Sequence, residues 1–203
     1  LLGLGLLLLA GQLLLGALDL DGVANDYVGK GMSGGRIVVV PRNQGEKFAA
    51  CGNTCLYGAT GGTLYAVGSV GERFGVRYSG ALAIVEGTGD HACEYMTGGR
   101  VVILGKTGIN FGAGMTGGVA FIYDKEKEFI DKMNGELIVA SRIDTDEGDE
   151  ARHYLKKILT DYANTTKSEV AKEILANFRQ AIRYFWMVTP KDMQAPLNPK
   201  EGN

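Results

Sequence analysis

The stretches EYMTGGRVVILG at residues 94–105 and GAGMTGGVAFIYD at residues 112–124 repeat one pattern, in which glycines precede a run of β-branched and other apolar residues. The same pattern occurs earlier as YVGKGMSGGRIVVV at residues 27–40, YGATGGTLYAVG at 57–68 and VRYSGALAIVEG at 76–87. KMNGELIVA at residues 132–140 is a degenerate sixth copy. A pattern that returns at a regular spacing is typical of repeat architectures, in which each copy is one structural unit.

The length of this unit follows from the spacing between equivalent residues that precede the apolar runs, here called marker positions. Successive marker positions are separated by 27, 19, 18, 19 and 17 residues, so one unit contains 18–19 residues. The longer first step indicates an insertion within PRNQGEKFAACGNTC at residues 41–55, a polar and irregular stretch. The marker positions are Gly34, Gly61, Gly80, Gly98, Gly117 and Asn134.

Each copy ends in a short run rich in Val, Ile and aromatic residues, which predicts a β-strand. No helical segment separates consecutive copies, as a doubly wound α/β sheet would require. The sequence therefore predicts an all-β main domain, a single-stranded parallel β-helix whose coils bury their apolar faces against one another. Equivalent strand residues should form ladders, for example Val38, Leu64, Leu82, Val101 and Val119.

Composition divides the chain of 203 residues into two predicted domains. Residues 22–118 contain 24 of the 31 glycines, whereas charged residues dominate the C-terminal part. We predict a β-helix domain at residues 1–143 and a helical extension with a tail at 144–203. The net charge of −2 offers no indication of nucleic acid or an anionic membrane as a partner. Three cysteines without a disulfide framework favour a reducing, cytoplasmic setting.

The first 21 residues are unusually rich in leucine, and LLGLGLLLLAGQLLLGAL at residues 1–18 contains Gln12 as its one polar side chain. About 20 apolar residues can span a bilayer. Four glycines and the absence of basic flanking residues weaken that interpretation. A buried first portion of the repeat domain is the alternative that the sequence favours.

Two glycine motifs raise the question of a nucleotide site. GKGMSG at residues 29–34 and GAGMTG at 112–117 both fit G-x-G-x-x-G. In a dinucleotide site this motif opens a helix, whose N-terminus binds the pyrophosphate. Here both copies precede predicted strands and occupy equivalent points of the repeat, so we interpret them as turns of a coil. Neither GATGGT at 58–63 nor GKTG at 105–108 has the spacing of a P-loop.

Other groups of reactive side chains are small. His91, Cys93 and Glu94 lie together in GDHACEY, which is compatible with half of a zinc site or with an ordinary loop. Cys51 and Cys55 have a C-x3-C spacing that a metal or a redox pair could use, although no second pair accompanies them. The sequence predicts no catalytic, cofactor-binding or metal-ligating residue in this chain. We also expect four exposed arginines beside the glycine turns, which line a partner surface or solvate the turns: Arg36, Arg73, Arg77 and Arg100.

The C-terminal part has helical periodicity. ARHYLKKILTDYA at residues 151–163 places Leu155, Ile158, Leu159 and Tyr162 on one stripe. Thr166 and Glu169 have the spacing of a capping box, which predicts the start of a second helix there. That helix would carry a further apolar face, and the apolar residues of FWMVTP would precede a tail with several prolines. The predicted face consists of Val170, Ile174, Leu175, Phe178, Ile182 and Phe185.

The motifs NDYVGKGMSGGRIVVVP, LYGATGG, GERFGVRYSGALAIVEGTGDHACEYMTGGRVVILGKTGINFGAGMTGGVAFIYD and FWMVTPKD closely resemble the C-terminal GXGXG domain of the glutamate synthase large chain. The resemblance covers residues 22–193. It implies a right-handed β-helix that acts as a non-catalytic scaffold between other domains. A similar β-helix forms a subunit of formylmethanofuran dehydrogenases, which is the alternative within this fold.

The resemblance places the chemistry of this family in other domains. It implies partner domains that hydrolyse glutamine and that carry FMN and an iron–sulfur cluster, where 2-oxoglutarate becomes glutamate. It implies no catalytic or FMN-binding residue in this chain, which would act as a subunit or a domain of a larger assembly. The N-terminus departs from the family, because only AGQ at residues 10–12 resembles its usual start and leucines follow.

Overall fold

The computed structural model describes residues 16–42 and 49–192 of the chain. Most of the Leu-rich segment, at residues 1–15, lies outside the described residues, as does the tail after residue 192. The helices within the described ranges are all too short or too polar to cross a membrane. The described part contains eleven strands: β1 Ala17–Asp21, β2 Ser33–Val40, β3 Ala49–Cys51, β4 Gly61–Ala66, β5 Ser69–Val70, β6 Leu82–Val85, β7 Gly87–Thr88, β8 Thr97–Ile103, β9 Gly117–Tyr123, β10 Ile138–Arg142 and β11 Phe185–Pro190.

The strands form a β-solenoid of about five turns. One sheet has the order β1-β2-β4-β6-β8-β9-β11-β10, and a smaller sheet has the order β3-β5-β7. Pairing is parallel from β1 to β9, and the residues aligned with Leu18 are Ile37, Leu64, Ala83, Val101 and Ala120. The repeat of 18–19 residues and the long second coil are therefore confirmed.

The predicted ladder of side chains is wrong by one residue at several coils. Val38 aligns with Tyr65, which aligns with Ile84. The register shifts between Ser33 and Arg36 and between Thr97 and Arg100. A β-bulge adds one residue to a strand, so a fixed distance from the marker glycine does not give the same position in every coil.

The sixth copy of the repeat does not add a sixth parallel strand. Its apolar run forms β10, which pairs with β11 in antiparallel orientation, and β11 in turn pairs antiparallel with β9. The stretch FWMVTP, predicted to precede a tail, is thus a strand inserted between the last coil and β10. An open sheet edge must be paired or covered, and β11 pairs the edge that β9 would otherwise leave.

Each long strand is apolar on both faces because each face meets a different core. Ile37, Leu64 and Val101 point into the solenoid, where they join one buried cluster. Val38, Tyr65 and Val102 point outward against the helical part, in a second buried cluster with Leu155 and Tyr162. Strands buried on both faces have nearly continuous apolar runs, which explains the Val- and Ile-rich sequence.

The helices follow the last coil. They are α1 Phe129–Lys132, α2 Asp149–Thr166, α3 Glu169–Ala176 and α4 Phe178–Ala181. The predicted stripe of α2 is confirmed, because Leu155, Ile158, Leu159 and Tyr162 are all buried. The second predicted helix ends earlier than expected, at Ala176, and Val170 on its predicted apolar face is 36% exposed.

The predicted capping box at Thr166 is wrong. Thr166 is the last residue of α2, and its hydroxyl donates to the Tyr162 carbonyl. Ser168 is the N-cap of α3, since its hydroxyl oxygen accepts a hydrogen bond from the Ala171 N–H. Both residues suit an N-cap chemically, and the left-handed Lys167 between them decides where α2 stops.

Candidate functional site

The glycine-rich turns form a column along one side of the solenoid. In each coil three alternate residues have φ between 53° and 72°, the left-handed region. The G-x-G spacing of the two sequence motifs is therefore the visible part of a longer pattern, in which nine of fifteen positions are not glycine. The positions are Tyr27, Gly29, Gly31; Thr54, Leu56, Gly58; Arg73, Gly75, Arg77; His91, Cys93, Tyr95; and Asn110, Gly112, Gly114.

The backbone N–H groups of this column bind neighbouring coils. The first and third left-handed residues donate forward, as in Tyr27 N to Asn53 O and Gly31 N to Tyr57 O, both 2.9 Å. The middle residue donates backward, as in Gly112 N to Ala92 O at 2.8 Å. A phosphate-binding glycine loop needs N–H groups that point at the ligand. Here these groups hold the coils together, and both motifs lead into strands β2 and β9.

The middle left-handed position faces the core and alternates between small and large residues. A Cβ on Gly29 would lie 2.7 Å from Cδ2 of Leu56, and a Cβ on Gly112 would lie 2.5 Å from Cδ1 of Ile138. A bulky side chain, from the next coil for Gly29 and from β10 for Gly112, therefore fills the space above each glycine. At these two positions glycine serves both the backbone conformation and the close packing.

The first and third left-handed positions face outward and form a surface that we term the turn face. It comprises these outward residues and the side chains between them, Lys30, Tyr57 and Glu94. The predicted exposure of Arg73 and Arg77 is confirmed. For Arg36 and Arg100 the prediction is wrong: both lie on strands beneath α2, and the Arg100 guanidinium stacks 4.9 Å from the Tyr154 ring.

A network of polar side chains connects the last coils of the turn face. His91 Nδ1 lies 2.8 Å from Glu94 Oε1, and the Asn110 amide donates to the same oxygen at 3.2 Å. The Asn134 amide donates to Asn110 Oδ1 at 2.9 Å. Cys93 points the other way, into the core, and its burial raises the pKa of the thiol to about 12. The structure therefore does not bring His91 and Cys93 together.

Cys51 and Cys55 are both buried and are free thiols. Cys55 Sγ donates to the Gly52 carbonyl at 3.3 Å. The hydrogen bond to Cys55, together with burial, raises the pKa of the Cys51 thiol well above its ordinary value. Cys51, as a protonated and buried thiol, is a poor nucleophile and a poor metal ligand, whereas the hydrogen bond from Cys51 lowers the pKa of Cys55. Across residues 16–42 and 49–192, His, Cys, Asp and Glu side chains form no group of three or more that could hold a metal ion.

Comparison with known proteins assigns this arrangement to a family. The GXGXG motif family matches residues 7–191, which include the whole described solenoid and β11. The chain belongs to the GXGXG family. The two G-x-G stretches of this chain at residues 29–31 and 112–114 are left-handed turns of the coil.

The GXGXG chain is similar to segments of glutamate synthases. It is 50% identical over 177 residues to ferredoxin-dependent glutamate synthase 2 of Synechocystis, a match that covers 85% of this chain and 11% of the relative. It is 48% identical over 183 residues to the NADPH glutamate synthase large chain of Azospirillum brasilense, covering 87% and 12%. Against the NADH glutamate synthase of Schizosaccharomyces pombe, identity is 48% over 184 residues, covering 89% and 9%. The chain thus spans about a tenth of the length of these relatives.

A groove of about 870 Å³ lies on the other side of the GXGXG fold, where the long parallel strands end. No sequence motif marks this groove. Glu86 at its floor joins the solenoid to the helices: its Oε1 accepts hydrogen bonds from Tyr162 at 3.0 Å and from Ser168 at 2.5 Å. Asp124 at its rim accepts from the Trp186 indole at 3.1 Å. These carboxylates fasten the C-terminal elements to the coils.

Proposed function

We propose that this chain is a non-catalytic structural domain of a glutamate synthase, present as a segment or a subunit. It would hold a glutaminase domain and an FMN-containing synthase domain in register, so that glutamine supplies nitrogen for glutamate synthesis from 2-oxoglutarate. The observation that carries the proposal is the match of about 50% identity over 85% of this chain, which spans only 11% of the relative. The remaining length of such a relative is available for the chemistry.

The internal hydrogen bonding of the turns supports a positioning role. The N–H groups of Gly31 and Gly58 donate to the next coil, and those of Gly75 and Gly112 donate to the previous one. Backbone ladders, two packed cores and β11 joining β9 to β10 make one continuous body. Closely packed interiors deform little and transmit position. A body of this kind suits the task of keeping two domains at a fixed separation.

The proposal assigns bond making and bond breaking to the partner domains. We expect FMN and the iron–sulfur cluster to be bound there, together with the catalytic residues. The three cysteines of this chain are buried in its core, with Cys93 and Cys51 held as protonated thiols. Their state fits a packing role in a domain that supplies geometry to the reaction.

A chimera tests the proposal. In the Azospirillum large chain, residues 16–191 of this protein replace the matching segment, and glutamine-dependent and ammonia-dependent glutamate formation are measured. We expect the chimera to retain both activities, and deletion of the segment to abolish glutamine-dependent synthesis. The purified 203-residue chain should contain no flavin. Stoichiometric FMN or glutaminase activity in that isolated chain would overturn the proposal.

A further inference from the structure

The turn face has two halves, which differ in whether their side chains form hydrogen bonds with one another. In the half formed by the last coils, His91, Glu94 and Asn110 bind one another, and the Tyr95 ring covers Gly114. The half formed by the first three coils, which we term the upper turn face, has no such network. Within the described ranges its side chains make no mutual hydrogen bond or ion pair, apart from the Lys30 ammonium 5.1 Å above the Tyr27 ring. It consists of Tyr27, Lys30, Thr54, Tyr57, Arg73 and Arg77.

Backbone strain accompanies these unsatisfied side chains. Tyr27, Thr54, Arg73 and Arg77 have φ between 55° and 64°. In this left-handed backbone conformation, a residue with a side chain is less stable than glycine by about 1–2 kcal/mol. Glycine occupies the equivalent outward position in Gly31 and Gly58, so the fold accepts glycine there. The backbone N–H of each of these four residues donates to the next coil, but none of their side chains makes a described hydrogen bond or ion pair. Strained residues whose side chains are left without partners are typical of binding surfaces.

The composition of the upper turn face defines the partner that it fits. Tyr27, Lys30, Thr54, Tyr57 and Arg73 line a shallow cleft of about 420 Å³. Tyrosine and arginine are the residues enriched at the energetic centres of protein interfaces. A guanidinium group binds a carboxylate through two parallel hydrogen bonds.

The acidic residues nearest in sequence do not neutralise these cations. Asp26 Oδ1 accepts a hydrogen bond from the Asn53 N–H at 2.7 Å. The Glu72 N–H is held by Asn53 Oδ1, and no described ion pair joins Glu72 or Asp26 to Lys30, Arg73 or Arg77. The cations therefore remain available to carboxylates from outside the chain.

We propose that the upper turn face docks an acidic segment of a neighbouring glutamate synthase domain. Carboxylates of that segment bind Arg73 and Arg77, while the Tyr27 and Tyr57 rings pack against its backbone. The identity of the partner rests on the proposed function, whereas the preference for carboxylates rests on the residues of the face.

A titration of the 203-residue chain tests the preference for carboxylates. The probes are an acetylated octapeptide of alternating glutamate and alanine and its glutamine counterpart, followed by calorimetry at low salt. We expect the glutamate peptide alone to bind, and an Arg73→Ala, Arg77→Ala variant to bind it at least about tenfold more weakly, because two charged contacts are lost. Arg179→Ala, which removes an exposed arginine of α4, is the matched control and should bind as the wild type does. Equal affinity in the double variant, or no binding by the wild type, would overturn the proposal.

The chimeric large chain tests the partner. A photo-crosslinking amino acid replaces Tyr57, and the cross-linked peptide is identified by mass spectrometry. The expected adduct joins this position to an Asp- or Glu-rich segment outside residues 16–191. An adduct without acidic residues, or none at all, contradicts the assigned partner. A chimera that fails in glutamate synthesis contradicts the proposed function alone. The peptide titration tests separately whether the upper turn face binds carboxylates.

Discussion

The hydroxyl of Tyr162 in α2 lies 3.0 Å from Oε1 of Glu86, which follows β6. The two residues are 76 positions apart in sequence, and the same hydroxyl lies 3.0 Å from the Ala66 carbonyl at the end of β4. Ser168 at the start of α3 donates to the same Glu86 oxygen. The Glu86 carboxylate thus connects two helices to its own coil, and the Tyr162 hydroxyl also reaches the preceding coil at Ala66. Together these contacts fix the helical part on the outer face of the sheet.

Substitution of Tyr162 tests how strongly this connection holds the helices. Tyr162→Phe removes the single hydroxyl hydrogen that lies within reach of both Glu86 Oε1 and the buried Ala66 carbonyl, so an acceptor loses its donor. A buried polar group that loses its partner costs about 1–3 kcal/mol. We expect the free energy of unfolding, measured by urea denaturation, to fall by that amount. Tyr27→Phe at an exposed site should change it by less than about 0.5 kcal/mol. Equal effects of the two substitutions would contradict the structural role of the Tyr162 hydroxyl.

Alkaline pH should destabilise the protein through its buried tyrosines. Burial raises the pKa of Tyr78 and Tyr162 well above the ordinary value. Because the folded pKa exceeds the unfolded one, this contribution to stability is complete below pH of about 10 and is lost as the pH rises toward the folded pKa. The free energy of unfolding should therefore decline above that pH, by up to about 1.4 kcal/mol per pH unit for each such group. Tyr162→Phe should show a shallower decline, and an unchanged slope would exclude this explanation.

The repeat could be predicted from sequence because the tight turns and close contacts between coils favour one residue type, glycine. Turns with positive φ and close contact between coils favour glycine at positions such as Gly112, and glycines at a constant spacing reveal the period. Arg73 and His91 adopt the same conformation, but neither residue type signals it in a sequence. The sequence therefore reveals only part of the left-handed column. It places Arg73 and Arg77 beside the turns, but it does not show that Tyr27 and Tyr57 lie next to them on one surface.

The errors in the predicted fold have a common cause, which is that tertiary contacts decide between locally equivalent choices. Bulges shift the register near Arg36 and Arg100, and a bulge leaves no clear mark in a Gly-Gly pair. β11 is defined by its antiparallel partners β9 and β10, and its sequence alone fits the end of a helical segment as well. Thr166 and Ser168 both suit an N-cap, and the contact of Ser168 with Glu86 favours the second.

The N-cap of α3 offers a test that separates these two residues. Ser168→Ala removes the bond from the Ala171 N–H and the bond to Glu86 together. Loss of an N-cap costs about 0.5–2 kcal/mol, and the buried Glu86 contact adds to that amount. Thr166→Ser keeps a hydroxyl in place and serves as the control, with an expected change below about 1 kcal/mol. Both variants are measured by urea denaturation, and a loss for Ser168→Ala no larger than that of the Thr166→Ser control would contradict the role of Ser168 as the N-cap.

Alanine substitutions at two glycines of the turn column distinguish the cost of backbone strain from the cost of disturbed packing. Gly31 and Gly112 have φ of 67° and 72°, but a Cβ on Gly31 meets nothing within 4 Å, whereas one on Gly112 lies 2.5 Å from Ile138 Cδ1. Gly31→Ala should therefore cost about 1–2 kcal/mol from conformation alone. Gly112→Ala should cost about 1–3 kcal/mol more, because the core is overpacked. Adding Ile138→Val should recover part of that loss in Gly112→Ala while destabilising the wild type. Equal losses in the two alanine variants, measured by denaturation, would show that the columns are not packed as described.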